Sequence, residues 1–382
     1  MITRSVFAWS GGVKLKLKVN LTINSSSSRA CVSHFAYSAQ RAQNRDDIGI
    51  RRTPIIMISS AATPMSLRKF GLIVQGWSVV LMRPQWNNLA SFFDLQGYQT
   101  VREGEYWCPC DEQQFESLLA SHLLCVVLDS KNENPLFHAP VREPKVSTVR
   151  GVDLFPPPID WLPPNCIMEV DDVLKEWTWR KSFDLIHLRQ MVGAFTPKEW
   201  NSVFEQCYKN LKPGGWIEQL EVDPHIICTD GTLPANSSTV QFAEAIINAA
   251  KQANQPIDTV DTMRGRMSKL GFIDIHEKKY NWPMGPWPRD PLLKEAGRLH
   301  YHQWMHGMEG WAMYYLTKWG TPSPWSPDEV QVLVAKARKE LKDGRAHMWQ
   351  YAKRVWARKP TEEEMFEIQS PRGEPIKNEF DV

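Results

Sequence analysis

The sequence predicts an α/β protein built on a doubly wound, mostly parallel sheet. Short apolar runs, several of them ending at an acidic residue, alternate with stretches of helical periodicity, and helix-capping boxes open two of those stretches. Strands that alternate with helices are typical of a parallel sheet covered by helices on both faces. The chain of 382 residues can form one large α/β domain with additions, or two domains.

Five apolar runs are predicted to be strands. Their β-branched and aromatic residues suit a pleated, buried surface. In three of them an acid stands at the end or follows directly, as at Asp153. The predicted strands cover residues 146–153, 166–170, 183–188, 216–221 and 272–280.

Helices are predicted between these strands and after them. Thr196 and Ser326 each begin a capping box with proline at the first helical position, which is a strong start signal. From Trp287 onward the sequence predicts helices dense in His, Trp and Tyr, with a break at Gly344 and a last helix through Trp356. The other predicted helices cover residues 111–126, 197–211, 238–254, 259–270 and 327–341.

Charge divides the chain into two parts. Residues 1–93 have a surplus of ten basic residues, and no acid precedes Asp46, whereas the remainder is acidic overall. We therefore expect a basic extension, disordered or mispredicted, at 1–93, an α/β domain at 94–286, a helical cap or lid at 287–360 and a polar tail at 361–382. The Ser- and Arg-rich extension also fits a mitochondrial transit peptide, with a disordered tail or a mispredicted start as the alternative.

Composition limits location and partners. The seven cysteines are an odd number without a CxxC pair, which favours reduced thiols and predicts neither a disulfide framework nor a metal site. We expect a cytoplasmic or nuclear location, with mitochondria as the minor alternative. No apolar run is long enough for a membrane span. The short basic clusters lack interleaved aromatic residues and do not favour nucleic-acid binding.

Acidic residues at strand ends are the candidate binding groups. Ligands of open parallel sheets bind outside the carboxyl ends of the strands, where Asp153, Asp171 and Asp172 are expected. A carboxylate there can accept hydrogen bonds from both hydroxyls of a ribose. An acid at a strand end, taken alone, is more often a helix cap or part of a solvated turn.

The order of the motifs identifies a family resemblance. GVDLFPP (151–157), LPPNC (162–166), IMEVDD (167–172), EWTW (176–179), FDLIHLR (183–189) and LKPGGWIE (211–218) follow one another in the chain. Together they resemble the class I S-adenosylmethionine-dependent methyltransferase domain of fungal LaeA-like (TAM-domain) proteins, a group associated with regulation of secondary metabolism. The resemblance covers about residues 98–360 and implies a Rossmann-like fold.

The resemblance implies S-adenosylmethionine as the cofactor and assigns eight residues to it. One group would hold the ribose, a second would border the adenine, a third would lie beside the methionine and one residue would close over the cofactor. In that order they are Asp153 with Leu154; Asp171 or Asp172, with Val173; Leu188 and Arg189; and Tyr106. No catalytic base is assigned: His187 lies in an apolar run typical of a core position, and His300, His302 and His306 either line the substrate side or pack a helical cap.

One part of the family pattern is missing. Between Pro144 and Val146 the family has a first strand and a DxGxGxG turn whose glycines approach the cofactor closely. An omitted exon or a faulty gene assembly is one explanation, and genuine loss is the other. The lost strand would be central, and unpaired backbone groups cost about 1–3 kcal/mol each. The apolar run 71–82 is therefore predicted to fill the slot.

Two functions follow from these observations. The first is methyl transfer to a protein or to a small-molecule, secondary-metabolite acceptor. The alternative is an inactive binding or regulatory protein with a methyltransferase fold, since the glycine turn is absent. The expected partners are a methyl acceptor and a regulatory protein, and a membrane is not expected.

Overall fold

The computed structural model describes residues 2–10, 13–21, 54–59, 106–109, 111–132, 134–141, 148–154, 162 and 164–369. The chain forms two units, residues 1–50 and 51–382. In the first unit β1 (Ile2–Ser10) and β2 (Val13–Leu21) pair antiparallel. The second unit contains the other elements.

A seven-stranded sheet organises the second unit. Its strands lie in the order β5-β4-β3-β6-β7-β9-β8. All neighbours pair parallel except β9, which is antiparallel to both β7 and β8. The strands are β3 (Pro54–Ser59), β4 (Thr148–Asp153), β5 (Cys166–Val170), β6 (Phe183–Arg189), β7 (Leu211–Val222), β8 (Ile273–Pro283) and β9 (Trp349–Arg358). The predicted fold class is confirmed.

The central slot of the sheet is filled, but by a different segment from the one predicted. β3 pairs parallel with β4 on one side and β6 on the other, with Ile56 opposite Arg150 and Ile186. The assignment of residues 71–82 to this slot is therefore wrong, and those residues lie outside the described part of the chain. Because β3 comes from within residues 1–93, that range is not wholly an extension of the α/β domain.

Helices connect the strands and cover both faces. Both predicted capping boxes are present, at Thr196 with Glu199 and at Ser326 with Glu329, and Gly344 ends its helix at a φ of 68°. The helices are α1 (Glu112–Leu128), α2 (Pro197–Asn210), α3 (Ser238–Gln252), α4 (Met263–Lys269), α5 (Pro291–Trp319), α6 (Pro327–Asp343) and α7 (Glu362–Gln369). Among the described residues, no helix is both long enough and apolar enough to span a membrane.

The predicted helix through Trp356 is wrong, because residues 349–358 form β9. Ala352 packs on one face of the sheet, whereas Val355 and Ala357 pack on the other, as strand periodicity requires. Pairing with β7 and β8 satisfies the backbone of β9 on both edges. The range 287–360 is therefore a helical cap only up to residue 348.

The core lies on both sides of the sheet. On one face Ile217 of β7 packs in a cluster with Trp200 of α2 and Met267 of α4. On the other face Leu220 packs with Leu124 of α1. A further cluster, rich in aromatic residues, joins α3, α5 and α6. These layers fix the carboxyl edge of the sheet, where the candidate residues lie.

Candidate cofactor site at the carboxyl edge of the sheet

Two of the predicted acids are neighbours at the carboxyl edge. Asp153 at the end of β4 is in register with Val170 at the end of β5. The N–H of Asp171 donates to the carbonyl oxygen of Asp153 at 3.0 Å. Asp153 and Leu154 are half-buried, and Asp171 is exposed. The prediction that these acids share one edge of the sheet is confirmed.

The residues after Asp171 turn into the protein. Asp172 is buried, and its Oδ1 accepts a hydrogen bond from the N–H of Leu174 at 3.1 Å. Val173 is also buried, and its carbonyl accepts from Trp177 Nε1 at 3.0 Å. Asp172 and Val173 therefore stabilise the turn, and Asp171 is the more accessible carboxylate.

The end of β6 is buried and bent. Leu188 is fully buried in the core cluster of α2 and α4. Arg189 is buried with Nη1 2.7 Å from His122 Nδ1 of α1, and burial lowers the pKa of its guanidinium. Gln190 has a φ of 53°, a conformation that is costly for a residue with a side chain and that clusters at functional sites.

Glu221 holds this bend, and the resemblance did not assign it a role. Its Oε1 accepts hydrogen bonds from the N–H of Met191 and from Gln219 Nε2, both at 3.0 Å. The side chain is fully buried, and burial raises the pKa of the carboxyl to about 7 although both hydrogen bonds oppose this. An acid at the end of an apolar run was the only sequence signal for it.

An aromatic layer covers the loop after β6. Trp107 Nε1 donates to the carbonyl of Val192 at 3.1 Å, and its ring stacks on Tyr315 with centroids 5.4 Å apart. Gly193 has a φ of 69°, and a Cβ there would overlap Tyr315 and Trp107. Tyr106, next to Trp107, packs against two core clusters, one of which contains Leu188 and Met191. Tyr106 therefore lies near the carboxyl end of β6.

Two of the candidate histidines are structural. His187 is buried with Nδ1 3.3 Å from Glu218 Oε1, and burial lowers its pKa despite that carboxylate. His300 is buried too, and burial lowers its pKa to about 4. Its Nε2 accepts from Trp304 Nε1 at 3.1 Å, so it packs the helical cap.

The carboxylates at this edge are acceptors that fit the ribose and adenine side of an adenosyl cofactor. Asp153 is half-buried and Asp171 is exposed, and a backbone hydrogen bond joins these two residues at the edge of the sheet. A carboxylate in this position can accept hydrogen bonds from hydroxyl groups. The methionine side differs from the family pattern, because the sequence after β3 contains no glycine before Gly71. The fit is therefore specific to the nucleoside half of the cofactor.

Sequence comparison gives fungal relatives, although no family model matches the chain. "Methyltransferase pytC" of Aspergillus terreus is 34% identical over 197 residues, which are 52% of this chain and 59% of that protein. "Secondary metabolism regulator LAE1" of Cochliobolus heterostrophus is 29% identical over 292 residues, which are 69% of this chain and 92% of the relative. The chain thus spans about three fifths of the pytC protein and most of LAE1.

A comparison of solved structures finds the Haemonchus contortus phosphoethanolamine N-methyltransferase 2, solved in complex with S-adenosyl-L-methionine. The similarity has a TM-score of 0.30 at 20% identity and covers 56% of this chain and 44% of that one. The sequence relatives confirm the resemblance that the motifs predict: the chain is similar to fungal methyltransferases and to LaeA-like regulators of secondary metabolism.

Proposed function

We propose that the chain binds S-adenosylmethionine at the carboxyl edge of its sheet and transfers the methyl group to a protein or small-molecule acceptor. The observation that carries this proposal is the pair Asp153 and Asp171, side by side at the ends of β4 and β5. This edge is where open parallel sheets bind nucleotide-like ligands. Relatives named as methyltransferases support the same reaction class.

In this proposal each accessible residue has a defined task. Asp153 accepts hydrogen bonds from the ribose hydroxyls, and Asp171 borders the adenine. Tyr106 closes over the cofactor and helps exclude water. When bound, S-adenosylmethionine supplies an electrophilic methyl group whose leaving group is a neutral thioether, so alignment is the main demand on the protein. The acceptor's proton passes to solvent.

The second candidate function is that of an inactive binding or regulatory protein that does not use the cofactor. The missing glycine turn removes backbone donors that the family uses for the cofactor. One relative is named as a regulator of secondary metabolism, which fits a protein that works through partners. In that case the sheet edge would be a remnant of the cofactor site.

Titration of the full chain with S-adenosylmethionine, followed by calorimetry, separates the two functions. Asp153→Ala should weaken binding about tenfold to a hundredfold, because a charge-assisted hydrogen bond contributes about 1.5–3 kcal/mol. Asp184→Ala is the matched control, since Asp184 lies at the amino-terminal end of β6 and pairs with Lys212 at 2.7 Å. It should bind like the wild type.

The outcomes have different meanings. Absence of heat with the wild-type chain at high micromolar cofactor would refute methyl transfer and leave the regulatory function. Equal loss in both variants would remove Asp153 from the site. If the wild type binds, incubation of a fungal extract with cofactor labelled in the methyl group, followed by separation of proteins from small molecules, identifies the class of acceptor.

A further inference from the structure

Three side chains from two helices meet away from the sheet edge. Glu116 of α1 and His302 and His306 of α5 place a possible ligand atom each within 4.8 Å of the other two. The two histidines are four residues apart and therefore lie on one face of α5, with ring centroids 4.1 Å apart. Glu116 Oε2 lies 3.1 Å from His306 Nδ1. Two imidazoles thus lie close to one carboxylate.

The backbone around this cluster is fixed by hydrogen bonds between the helices. Gln113 Nε2 donates to the carbonyl of His306 at 2.7 Å. One helical turn further along α1, Ser117 Oγ donates to the carbonyl of Gln303 at 3.0 Å. Glu116 lies between these two contacts. The separation of the carboxylate from the imidazoles is therefore set by the packing of α1 on α5 and does not depend on flexible side chains alone.

An ordinary surface ion pair does not account for the arrangement. The Glu116 and His306 side chains are 48% and 32% exposed, so their mutual attraction contributes little to stability. A second imidazole against the first adds repulsion if both are protonated. Neutral imidazole is the form that binds metals.

We propose that Glu116, His302 and His306 form a binding site for a divalent transition-metal ion, with Zn²⁺ as the best fit. Two imidazole nitrogens and one carboxylate oxygen are a zinc donor set, whereas Mg²⁺ and Ca²⁺ prefer oxygen alone. Ligand atoms of a tetrahedral zinc ion lie about 3.4 Å apart, so small rotations of these side chains suffice. Water completes the coordination, because the cluster is reachable from solvent.

A metal ion here would cross-link α1 to α5. These helices lie on the same side of the molecule as the aromatic layer over the sheet edge, since Trp107 precedes α1 and stacks on Tyr315 of α5. Binding of the ion to the folded chain alone stabilises it by mass action. The site shares no residue with those proposed for the cofactor, so metal binding can be measured in the absence of the cofactor.

Zinc titration of the full chain, stripped with EDTA and free of any polyhistidine tag, tests the site. Competition with a chromogenic zinc indicator should give one ion per chain at micromolar affinity or tighter, and a rise in Tm. His302→Ala, His306→Ala and Glu116→Gln should each raise the Kd about a hundredfold or more, since even loss of an outer-shell partner costs about tenfold to a hundredfold. His276→Ala, which removes an exposed histidine of β8, should have no effect.

Two further measurements make the result decisive. The variants should match the wild type in Tm when EDTA is present, which shows that they fold. Co²⁺ should give visible absorption bands of a nitrogen- and oxygen-ligated ion with the wild type and lose them with His302→Ala. Retention of zinc in all three variants would place the ion elsewhere, for example on cysteines, and would overturn the proposal. So would absence of zinc binding to the wild type, or equal weakening by His276→Ala.

Discussion

Arg354 is the cation of a buried ion cluster that joins three strands to α1, and its replacement by methionine should strongly destabilise the fold. The guanidinium is 1% exposed, lies 2.9 Å from Asp129 Oδ2 and also pairs with Glu218. It donates to the carbonyl of Leu136 at 3.0 Å and to the hydroxyl of Tyr280 at 3.2 Å. Asp129 and Glu218 are themselves almost fully buried.

The expected loss is about 3–5 kcal/mol, because removing one partner of a buried pair leaves an uncompensated charge. The pKa of Glu218 gives a similar magnitude. Burial alone would raise this pKa, but Arg354 and His187 lower it from 4.5 to about 2, which corresponds to about 3 kcal/mol. In the Arg354→Met variant Asp129 would still pair with Lys278 at 2.8 Å and with His138 at 3.1 Å. The loss of stability through Asp129 is therefore smaller than that through Glu218.

Urea unfolding at pH 7, followed by tryptophan fluorescence, measures the loss. Arg358→Met is the matched control on the same strand. Arg358 also pairs with two carboxylates, Asp274 and Glu364, but its side chain is 18% exposed and both partners are more exposed still. The control should lose less than about 1 kcal/mol. Equal losses in the two variants would refute the argument from burial.

The pH dependence supplies a second criterion. Glu218 has a lower pKa in the folded than in the unfolded chain, so the wild type has this stability above about pH 4.5 and loses it as the pH falls toward 2. Without Arg354, burial raises the pKa of the same carboxyl, and protonation then relieves a buried charge. The deficit of Arg354→Met should therefore shrink between pH 7 and pH 4. A constant deficit would contradict the assignment.

Two further predictions concern the sheet. Ile56→Pro removes an N–H from a strand that is paired on both edges and should abolish cooperative thermal unfolding. Ile56→Val keeps this N–H and should retain cooperative unfolding. Val79→Pro, in the segment that the sequence predicts for this slot, should retain it too. Glu221→Gln should become more stable relative to the wild type as the pH rises from 5 to 8, by up to about 3 kcal/mol. Burial raises the pKa of Glu221 in the folded chain from 4.5 to about 7, so ionisation of this carboxyl lowers the stability of the wild type. Urea unfolding of both proteins at pH 5 and pH 8 measures the effect. The same difference in unfolding free energy at the two pH values would refute it.

The parts of the fold that sequence reasoning identified have local signals. β4, β5 and β6 are apolar runs between turns, and the boxes at Thr196 and Ser326 contain their own capping partners. β9 has no such signal. Lys353 and Arg354 look like the polar face of a helix, and Arg354 can be buried because acceptors distant in the chain, among them Asp129 and Glu218, pair with it. Tertiary pairing therefore overrides the local pattern.

Some features of the candidate site could likewise be predicted from local sequence, and others depend on tertiary packing. That Asp153 and Asp171 lie together follows from the parallel register of two strands, which the sequence pattern contains. That Arg189 meets His122 depends on how α1 packs over β6, and nothing in either segment specifies it. Glu221 could be located at a strand end from the sequence, but its raised pKa results from burial by the loop after β6.

Folding and cofactor binding are separable in this chain, and β3 is the reason. A missing central strand would leave β4 and β6 with unpaired edges, which would oppose folding. With β3 paired to both, the sheet is continuous without the family's first strand and turn. β3 is followed by Ser60-Ala61-Ala62, however, and not by glycines that let the backbone approach a ligand closely. A cooperatively folded chain is therefore no evidence for an intact cofactor site, and only the titration with S-adenosylmethionine measures that site.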